Sequence, residues 1–532
     1  MGAPFLSLSL VQAQTPSSPP ASALRRVRSS VEDLKGQRVA VVGLGKSGRA
    51  AARLALVRGA SVLAIDKNEQ LVPLENDPLF AEYAGLQTNL GYCDDMLLES
   101  ADRIVVSPGV PLEEYGLSNW LHSGEQVTSE LDFAAEVLPQ NIKVLAVTGT
   151  NGKSTVTSFA GQMLHHLGIE TFVGGNLGRP LSDAAIQCLQ SSSGRDIYQV
   201  AVVEVSSYQM EIPIKYFSPA VSWIWIFQLC SCEQLIIKSF FNIFFITVKV
   251  AVVLNLTPDH LERHKTMQNY AALKCCLFSQ MKHGKLAVLP VANHYLNEAF
   301  SSHANKCNVA WIGDHPGIKV DIETKGAILS IPTSGSVTHL QLGSLKAMGT
   351  HNYCNAAVAA FSVLGLDVGI DSDSINSTVE ILSLLPHRMQ VVFMDARGVT
   401  WVDDSKATNV ESTYTGLMGL KDHKAVVLLG GLAKVLRNEG SNGFEQLVEL
   451  LNHHRGVITF GSSGVMIQKT LCDGGLSIPC ITAVNLEEAV KCARRMARNG
   501  DTILLSPGCA SFDEFRNFEH RGKVFQELAL SS

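Results

Sequence analysis

Apolar positions along this chain follow two patterns that alternate. A short apolar run at 38–42 gives way to a glycine turn at 43–48, then to a stretch through Leu56 with apolar residues at helical spacing, then to a second apolar run at 61–65. Short apolar runs separated by helical stretches are βαβ units, which build parallel sheets. The same order returns at 143–147, with a turn at 148–155 and a helical stretch through Leu167. It returns again after Pro386, with apolar runs at 399–402, 425–429, 456–460 and 502–505. The pattern predicts an α/β protein of three tandem domains, over 36–140, 141–385 and 386–532. A chain of 532 residues exceeds what one core supports, so size leads to the same expectation.

One stretch breaks the alternation. Residues 221–249 hold Trp223, Trp225 and Phe227 and the apolar runs 235–237 and 240–246. Glu233, Lys238, Asn242 and Lys249 interrupt it, so it contains no uncharged apolar run of the length a membrane span needs, and none is expected. Residues 217–220 would join 250–253 directly into one buried strand. An excess of Phe, Ile and Leu is what a T-rich stretch yields on translation; a valine codon can begin with GT and a lysine codon can end in AG. The segment therefore reads as an anomalous insertion with the character of a retained intron. If it is real, it must loop out of the central domain, where so apolar an excursion is an aggregation hazard.

Composition narrows the function. A formal net charge of -6 with 17% charged residues shows none of the basic excess that neutralises a phosphate backbone, so nucleic acid is not an expected partner. The 12 cysteines form no paired CxxC framework, and Cys275 and Cys276 are adjacent, which fits a reducing compartment and small buried hydrophobes. The first 30 residues contain no Asp or Glu, are rich in Ser and Pro, and carry Arg25, Arg26 and Arg28. Residues 1–35 therefore read as a transit peptide for a plastid, against the plainer alternative of a disordered tail.

The first turn, 43–48, matches GxGxxG after a strand and before a helix, with Asp66 ending the next strand. Glycines let backbone N–H groups approach a phosphate at a helix N-terminus, which serves a dinucleotide or a UDP-sugar equally, and a purely structural tight turn is the bland alternative. The second turn carries more. Gly149, Thr150, Asn151, Gly152, Lys153, Ser154 and Thr155 place a backbone cradle, a phosphate-reaching lysine and a magnesium-binding hydroxyl at one strand-to-helix junction. This is a P-loop in a shortened GTNGKST form, with Val147 where the longer motif has its first glycine. The expected fold is thus a Rossmann-like N-terminal domain, a P-loop central domain and a Rossmann-like C-terminal domain. Two further apolar strands end at Glu204 and just before His260, where open α/β sheets bind ligands. Both are metal candidates, although alone each would read as a solvated strand-end residue.

Taken in order, GTNGKST at 149–155, the glycine turn at 174–178, EVSSYQME at 204–211, LNLTPDHLERH at 254–264 and the 270–274 segment resemble the central domain of the Mur ligases. The resemblance continues through 349–355, 385–388, 403–409 and 506–513 and covers residues 37–530. GLGKSG at 43–48 and DSKATN at 404–409 look like the D-glutamate-adding branch in particular. The resemblance implies an ATP-dependent amide ligase of peptidoglycan precursor synthesis. Such an enzyme phosphorylates the carboxylate of UDP-N-acetylmuramoyl-L-alanine to an acyl phosphate, which the amine of D-glutamate attacks.

It also implies residue roles. Lys153 would hold the β and γ phosphates; Ser154 and Glu204 one Mg2+; His260 and Lys274 a second Mg2+, with Lys274 carbamylated because a protonated lysine cannot ligate a cation. Asn352, Arg388 and Asp404 fall on the ATP site, with Arg388 suited to bidentate phosphate contact. Lys406, Thr408, Lys434, Ser511 and Phe518 fall on positions that recognise D-glutamate. Ser47, Asp66, Ser107 and Gly109, with Asn176, would hold the UDP-sugar. A monomer taking only small-molecule substrates is expected.

Three other readings stay open. A folylpolyglutamate synthase or a sister Mur ligase would share the P-loop but not DSKATN and GLGKSG. A nucleotide switch or inactive scaffold would not need Glu204, His260 and Lys274 together, and a NAD-dependent dehydrogenase leaves the P-loop unexplained. The insertion could also impair catalysis, since it separates Glu204 from His260. Transcript sequencing across residues 215–255 is expected to show a major species lacking the segment. Reads that retain it as the main species would refute its intron origin.

Overall fold

The computed structural model describes residues 33–91, 98–117, 120–121, 127–176, 178–191, 197–217, 248–279, 281, 284–301, 307–347, 349–420, 423–433 and 442–531. The N-terminal Arg-rich stretch, most of the anomalous segment and Lys434 lie outside them.

The first sheet joins β1 (Arg38–Val42), β2 (Ser61–Asp66), β3 (Leu86–Leu90), β4 (Arg103–Val106) and β5 (Val127–Ser129) in the order β3-β2-β1-β4-β5, all parallel. The chain reverses its winding direction between β1 and β4, so a crevice opens beyond their carboxyl ends, where open sheets of this kind bind ligands. Helix Lys46–Val57 follows β1 and buries eight of its twelve residues. Its start demands Gly48, because a Cβ there would lie 1.7 Å from the carbonyl oxygen of Gly43.

The second sheet comprises β6 (Lys143–Thr148), β7 (Thr171–Gly175), β8 (Val200–Glu204), β9 (Val248–Val253), β10 (Leu286–Pro290), β11 (Asn308–Ile312), β12 (Gly317–Asp321), β13 (Gly326–Ile331) and β14 (Ser336–Gln341). Its order is β14-β13-β12-β11-β10-β9-β6-β8-β7. β6 to β12 run parallel, and an antiparallel β12-β13-β14 meander extends the edge. β6 lies between β8 and β9, so the turn after it meets the carboxyl ends of both neighbours. β9 begins at Val248, two residues before the start read from the hydrophobic pattern. Val144 faces Val248 while Leu145 faces Val250, so Lys249 is an extra residue in the ladder.

The third sheet takes β15 (Gln390–Met394), β16 (Thr400–Asp403), β17 (Ala425–Gly430), β18 (Gly456–Phe460), β19 (Cys480–Thr482) and β20 (Thr502–Leu505) in the order β15-β16-β20-β17-β18-β19, with only β15 antiparallel. Among the described residues no helix is long and apolar enough to cross a membrane.

Buried polar groups tie these sheets together. Asp132, in the helix after β5, accepts the backbone N–H groups of Lys215, Tyr216 and Phe217 at 2.6–3.0 Å. Its neighbour Glu130 accepts Ser182 N–H at 2.8 Å, and burial pushes its carboxyl up to about 7. In the third sheet the fully buried Arg521 of the last helix, Phe518–Leu530, donates to the carbonyls of Ser405, Cys509 and Ala510 and to the Ser405 hydroxyl. It thereby gathers the loops after β16 and β20. Replacing it leaves the Ser405 and Cys509 carbonyls without this donor in a dry interior, which costs about 3 kcal/mol. Arg521→Leu is expected to unfold the third sheet at a clearly lower urea concentration, followed by the emission of the buried Trp401; an unchanged midpoint would refute this role.

Candidate active site

The P-loop owes its shape to what precedes and follows it. Val147 is fully buried in β6, so the strand continues where a longer loop would have its first glycine, and the turn begins only at Gly149. Gly149 and Gly152 adopt φ of +145° and +84°, and a Cβ on either would come within 3.0 Å of Leu254 or Asn355. Asn255, just beyond β9, braces the turn. Its side-chain oxygen accepts Thr150 N–H (3.0 Å) and Asn151 N–H (2.8 Å), and its amide donates to the Asn151 carbonyl (3.0 Å). Helix Lys153–His166 starts immediately afterwards, which aims its N-terminal dipole at the turn. Lys153 Nζ folds back onto the carbonyls of Gly149 and Thr150 at 2.8 and 2.7 Å.

Around this turn the three sheets enclose a cleft of about 1020 Å³. Its wall includes Ser47, Asp66, Ser107 and Gly109 from the first sheet's loops, and Thr150, Asn151, Gly152, Lys153, Ser154, Asn176, Glu204 and His260 from the second. Arg388, Lys406, Thr408 and Phe518 come from the third. A smaller cavity of about 130 Å³ adjoins it and is lined by Gly149, Lys153, Asn176, His260, Tyr270 and Lys274, among others. Most residues singled out from sequence thus meet at one place. Thr155, Asn352, Asp404 and Ser511 are buried and do not line either cavity. Asn352 accepts from Asn355 (2.9 Å), whose own oxygen would meet a Cβ on Gly152 at 3.0 Å. Asp404 holds Met389 N–H and Ser506 Oγ from behind Arg388.

The N-terminal residues act through backbone geometry. Ser107 donates to the Gly43 carbonyl at 2.7 Å. Asp66 accepts Leu44 N–H at 2.6 Å and Asn68 N–H at 2.9 Å, so its carboxylate orders the glycine turn as well as facing the cleft.

Charge in the cleft is poorly compensated. Glu204 takes one hydrogen bond from Asn176 (2.9 Å), while its second oxygen is buried and unpartnered. Lys274 is 1% exposed, with Nζ 4.2 Å above the Tyr270 ring. Burial, reinforced by Lys153, holds its amine well below the usual lysine range. Desolvation pulls the Arg388 guanidinium down and pushes the Asp404 carboxyl up to about 7. It also lowers Lys406, which stands 4.8 Å over the Phe518 ring, to about 8. Arg388 reaches across to Ser154 Oγ at 3.3 Å.

These residues suit Mg2+. Among the described residues no three His, Cys, Asp or Glu side chains converge; Mg2+ is commonly held by one or two carboxylates, with phosphate and water completing its shell. The unpartnered oxygen of Glu204 and the Ser154 hydroxyl, both on the cleft wall, would supply hard oxygen donors. His260, in a left-handed conformation (φ +55°), meets Tyr208 OH at its Nδ1 (2.7 Å), with Nε2 3.5 Å from Asp259 Oδ2. Sequence reasoning passed over Asn255, Tyr208 and Asp259. All three lie inside the quoted motifs, but only their contacts across strands reveal their roles.

Fold and site together define a nucleotide-dependent ligase architecture. Three domain families match the chain: the MurD-like N-terminal domain of Mur ligases over 37–129, the Mur ligase middle domain over 240–363 and the glutamate ligase domain over 387–509. A UDP-N-acetylmuramoylalanine–D-glutamate ligase of Koribacter versatilis is 32% identical over 499 residues, covering 93% of this chain and 98% of its own. One of the same name from Pelotomaculum thermopropionicum is 33% identical over 511 residues, covering 94% and 99%. The chain belongs to the Mur ligase family. Solved structures agree on the fold: MurF of Acinetobacter baumannii superposes with a TM-score of 0.55 at 16% identity, over 92% of this chain and 93% of that one. MurC of Thermotoga maritima gives 0.53 at 15%, over 93% and 99%.

Proposed function

We propose that this chain joins D-glutamate to UDP-N-acetylmuramoyl-L-alanine, converting ATP to ADP and phosphate through an acyl phosphate. The observation that carries this reading is the single cleft in which the P-loop, Glu204, His260, Arg388 and Lys406 meet, with Lys274 in the cavity beside it. Mur ligases use ATP and magnesium generally. Lys153, released from the Gly149 and Thr150 carbonyls, turns to the β and γ phosphates, and the P-loop amides cradle them. Ser154 with Glu204, and His260 with a carbamylated Lys274, are the positions suited to two Mg2+ ions; these would supply neutralisation of charge developing on the transferring oxygens. Burial favours the neutral form of the Lys274 amine, the form that CO2 adds to. Arg388, at the junction with the third sheet, faces Ser154 and is placed to clamp the transferring phosphoryl group.

Lys406, Thr408 and Phe518, with Ser511 behind them and Lys434 as a further candidate, would hold the two carboxylates of D-glutamate and present its amine. Ser47, Asp66, Ser107, Gly109 and Asn176 would seat the UDP-sugar. The division at residues 36–140, 141–385 and 386–532 assigns these duties to three domains, and residues 1–35 would direct the protein to a plastid.

Two outcomes are expected. Protein lacking residues 1–30 and 221–249 should release phosphate from ATP with UDP-N-acetylmuramoyl-L-alanine only when D-glutamate is the added amino acid; release with meso-diaminopimelate or with a folate instead would replace the reading. Lys406 is cationic below about 8 and loses its charge as pH rises through that value, whereas an arginine there would not. The ratio of kcat/KM for D-glutamate, Lys406→Arg over wild type, should therefore rise several-fold between pH 7 and pH 9, a comparison that cancels titration of the substrate amine. A flat ratio would count against Lys406 as the carboxylate contact.

A further inference from the structure

Arg263 has no part in the assignments above, yet its guanidinium joins a loop of the first sheet to the stretch that carries His260. It lies three residues beyond His260, in the short helix Leu261–His264. Nε donates to both oxygens of Glu211 at 2.9 and 3.0 Å, and Nη2 reaches the same carboxylate. Nη2 also donates to the Val110 carbonyl at 2.8 Å and Nη1 to the Gly109 carbonyl at 3.3 Å. The planar group lies 4.6 Å over the ring of Tyr208, whose hydroxyl meets His260 Nδ1 at 2.7 Å. An ion pair serving stability alone would need only Glu211. Here the remaining donors are spent on two carbonyls of the loop after β4, on a different sheet, in the stretch that faces the cleft at Gly109.

We infer that Arg263 is a positioning residue that couples the seat of the nucleotide-sugar to His260, so that substrate binding and cation binding strengthen one another. This rests on the function proposed above. A ligand that orders the 107–110 loop fixes two acceptors of the guanidinium. The fixed guanidinium holds the Tyr208 ring by stacking, and the Tyr208 hydroxyl holds the imidazole at Nδ1, so that Nε2, 3.5 Å from Asp259 Oδ2, is the nitrogen left for a cation. Guanidinium geometry is essential, because a compact ammonium cannot span Glu211, two carbonyls and a ring face at once. Coupling between binding sites is reciprocal and, at typical strength, amounts to about fivefold or more in affinity.

The test is calorimetric titration of Mg2+ into the protein without ATP, with and without saturating UDP-N-acetylmuramoyl-L-alanine. It compares wild type, Arg263→Lys, Arg263→Met and Tyr208→Phe. In wild type the nucleotide-sugar should tighten Mg2+ binding at least about fivefold, and in each variant by less than about twofold. Tyr208→Phe keeps the stacked ring and removes only the hydroxyl, so it reports the second link even where an Arg263 variant fails to fold. Coupling of wild-type size in the variants, or none in wild type although both ligands bind, would overturn the inference alone. Failure of the nucleotide-sugar to bind wild type would overturn the proposed substrate and the inference with it.

Discussion

The constraint on which this structure turns is the removal of charged groups from water without full compensation. Glu204, Lys274, Arg388, Asp404 and Lys406 all lie in or directly behind the cleft walls, and burial displaces the last four toward their neutral forms. Burying such groups unpaired costs free energy. The sheets sustain that cost through fully buried strands and through polar ties such as Asp132 and Arg521, which satisfy backbone groups that would otherwise add to it. The result is a site whose dipoles and charges are set before any ligand arrives, the condition under which electrostatic stabilisation of a transition state is strongest.

What the sequence made legible was whatever chemistry local order encodes. A strand, a glycine turn and a helix within twenty residues announce a phosphate cradle, and Glu204 and His260 stand out because strands end beside them. The three sheets followed from the alternation of apolar runs. Groups whose work depends on strand order were hidden: Asn255 braces the P-loop only because β9 lies beside β6, and Arg521 matters only because its helix passes under two loops distant in sequence. The β12-β13-β14 meander was also missed, since its exposed Ile328 and Val337 blur the alternation expected of strands. Asp66 was legible as a strand-end acid, but its bonds to Leu44 and Asn68 were not.

The ladder between β6 and β9 bears on the anomalous segment. Lys249 is accommodated as an extra residue where β9 enters the sheet, so the strand tolerates an irregular approach at its first two residues while Val250 to Val253 keep pairing with β6 and Val250 to Val252 with β10. The residues proposed above for the metal and phosphate groups all lie on the far, carboxyl side of that irregularity. An arrival path disturbed at the amino end of β9 therefore leaves the catalytic end in register.

The position of β9 also governs how the chain can assemble as it leaves the ribosome. β6, β7 and β8 emerge first and can pair, but one edge of β6, all of whose residues from Val144 to Thr148 are fully buried in the finished protein, stays open until residue 248 has been made. Throughout that interval the nascent chain presents an unpaired apolar edge, the geometry from which misassembly and aggregation start. Every residue placed between β8 and β9 lengthens the interval, so the spacing of these two strands sets how long that edge stays open to misassembly.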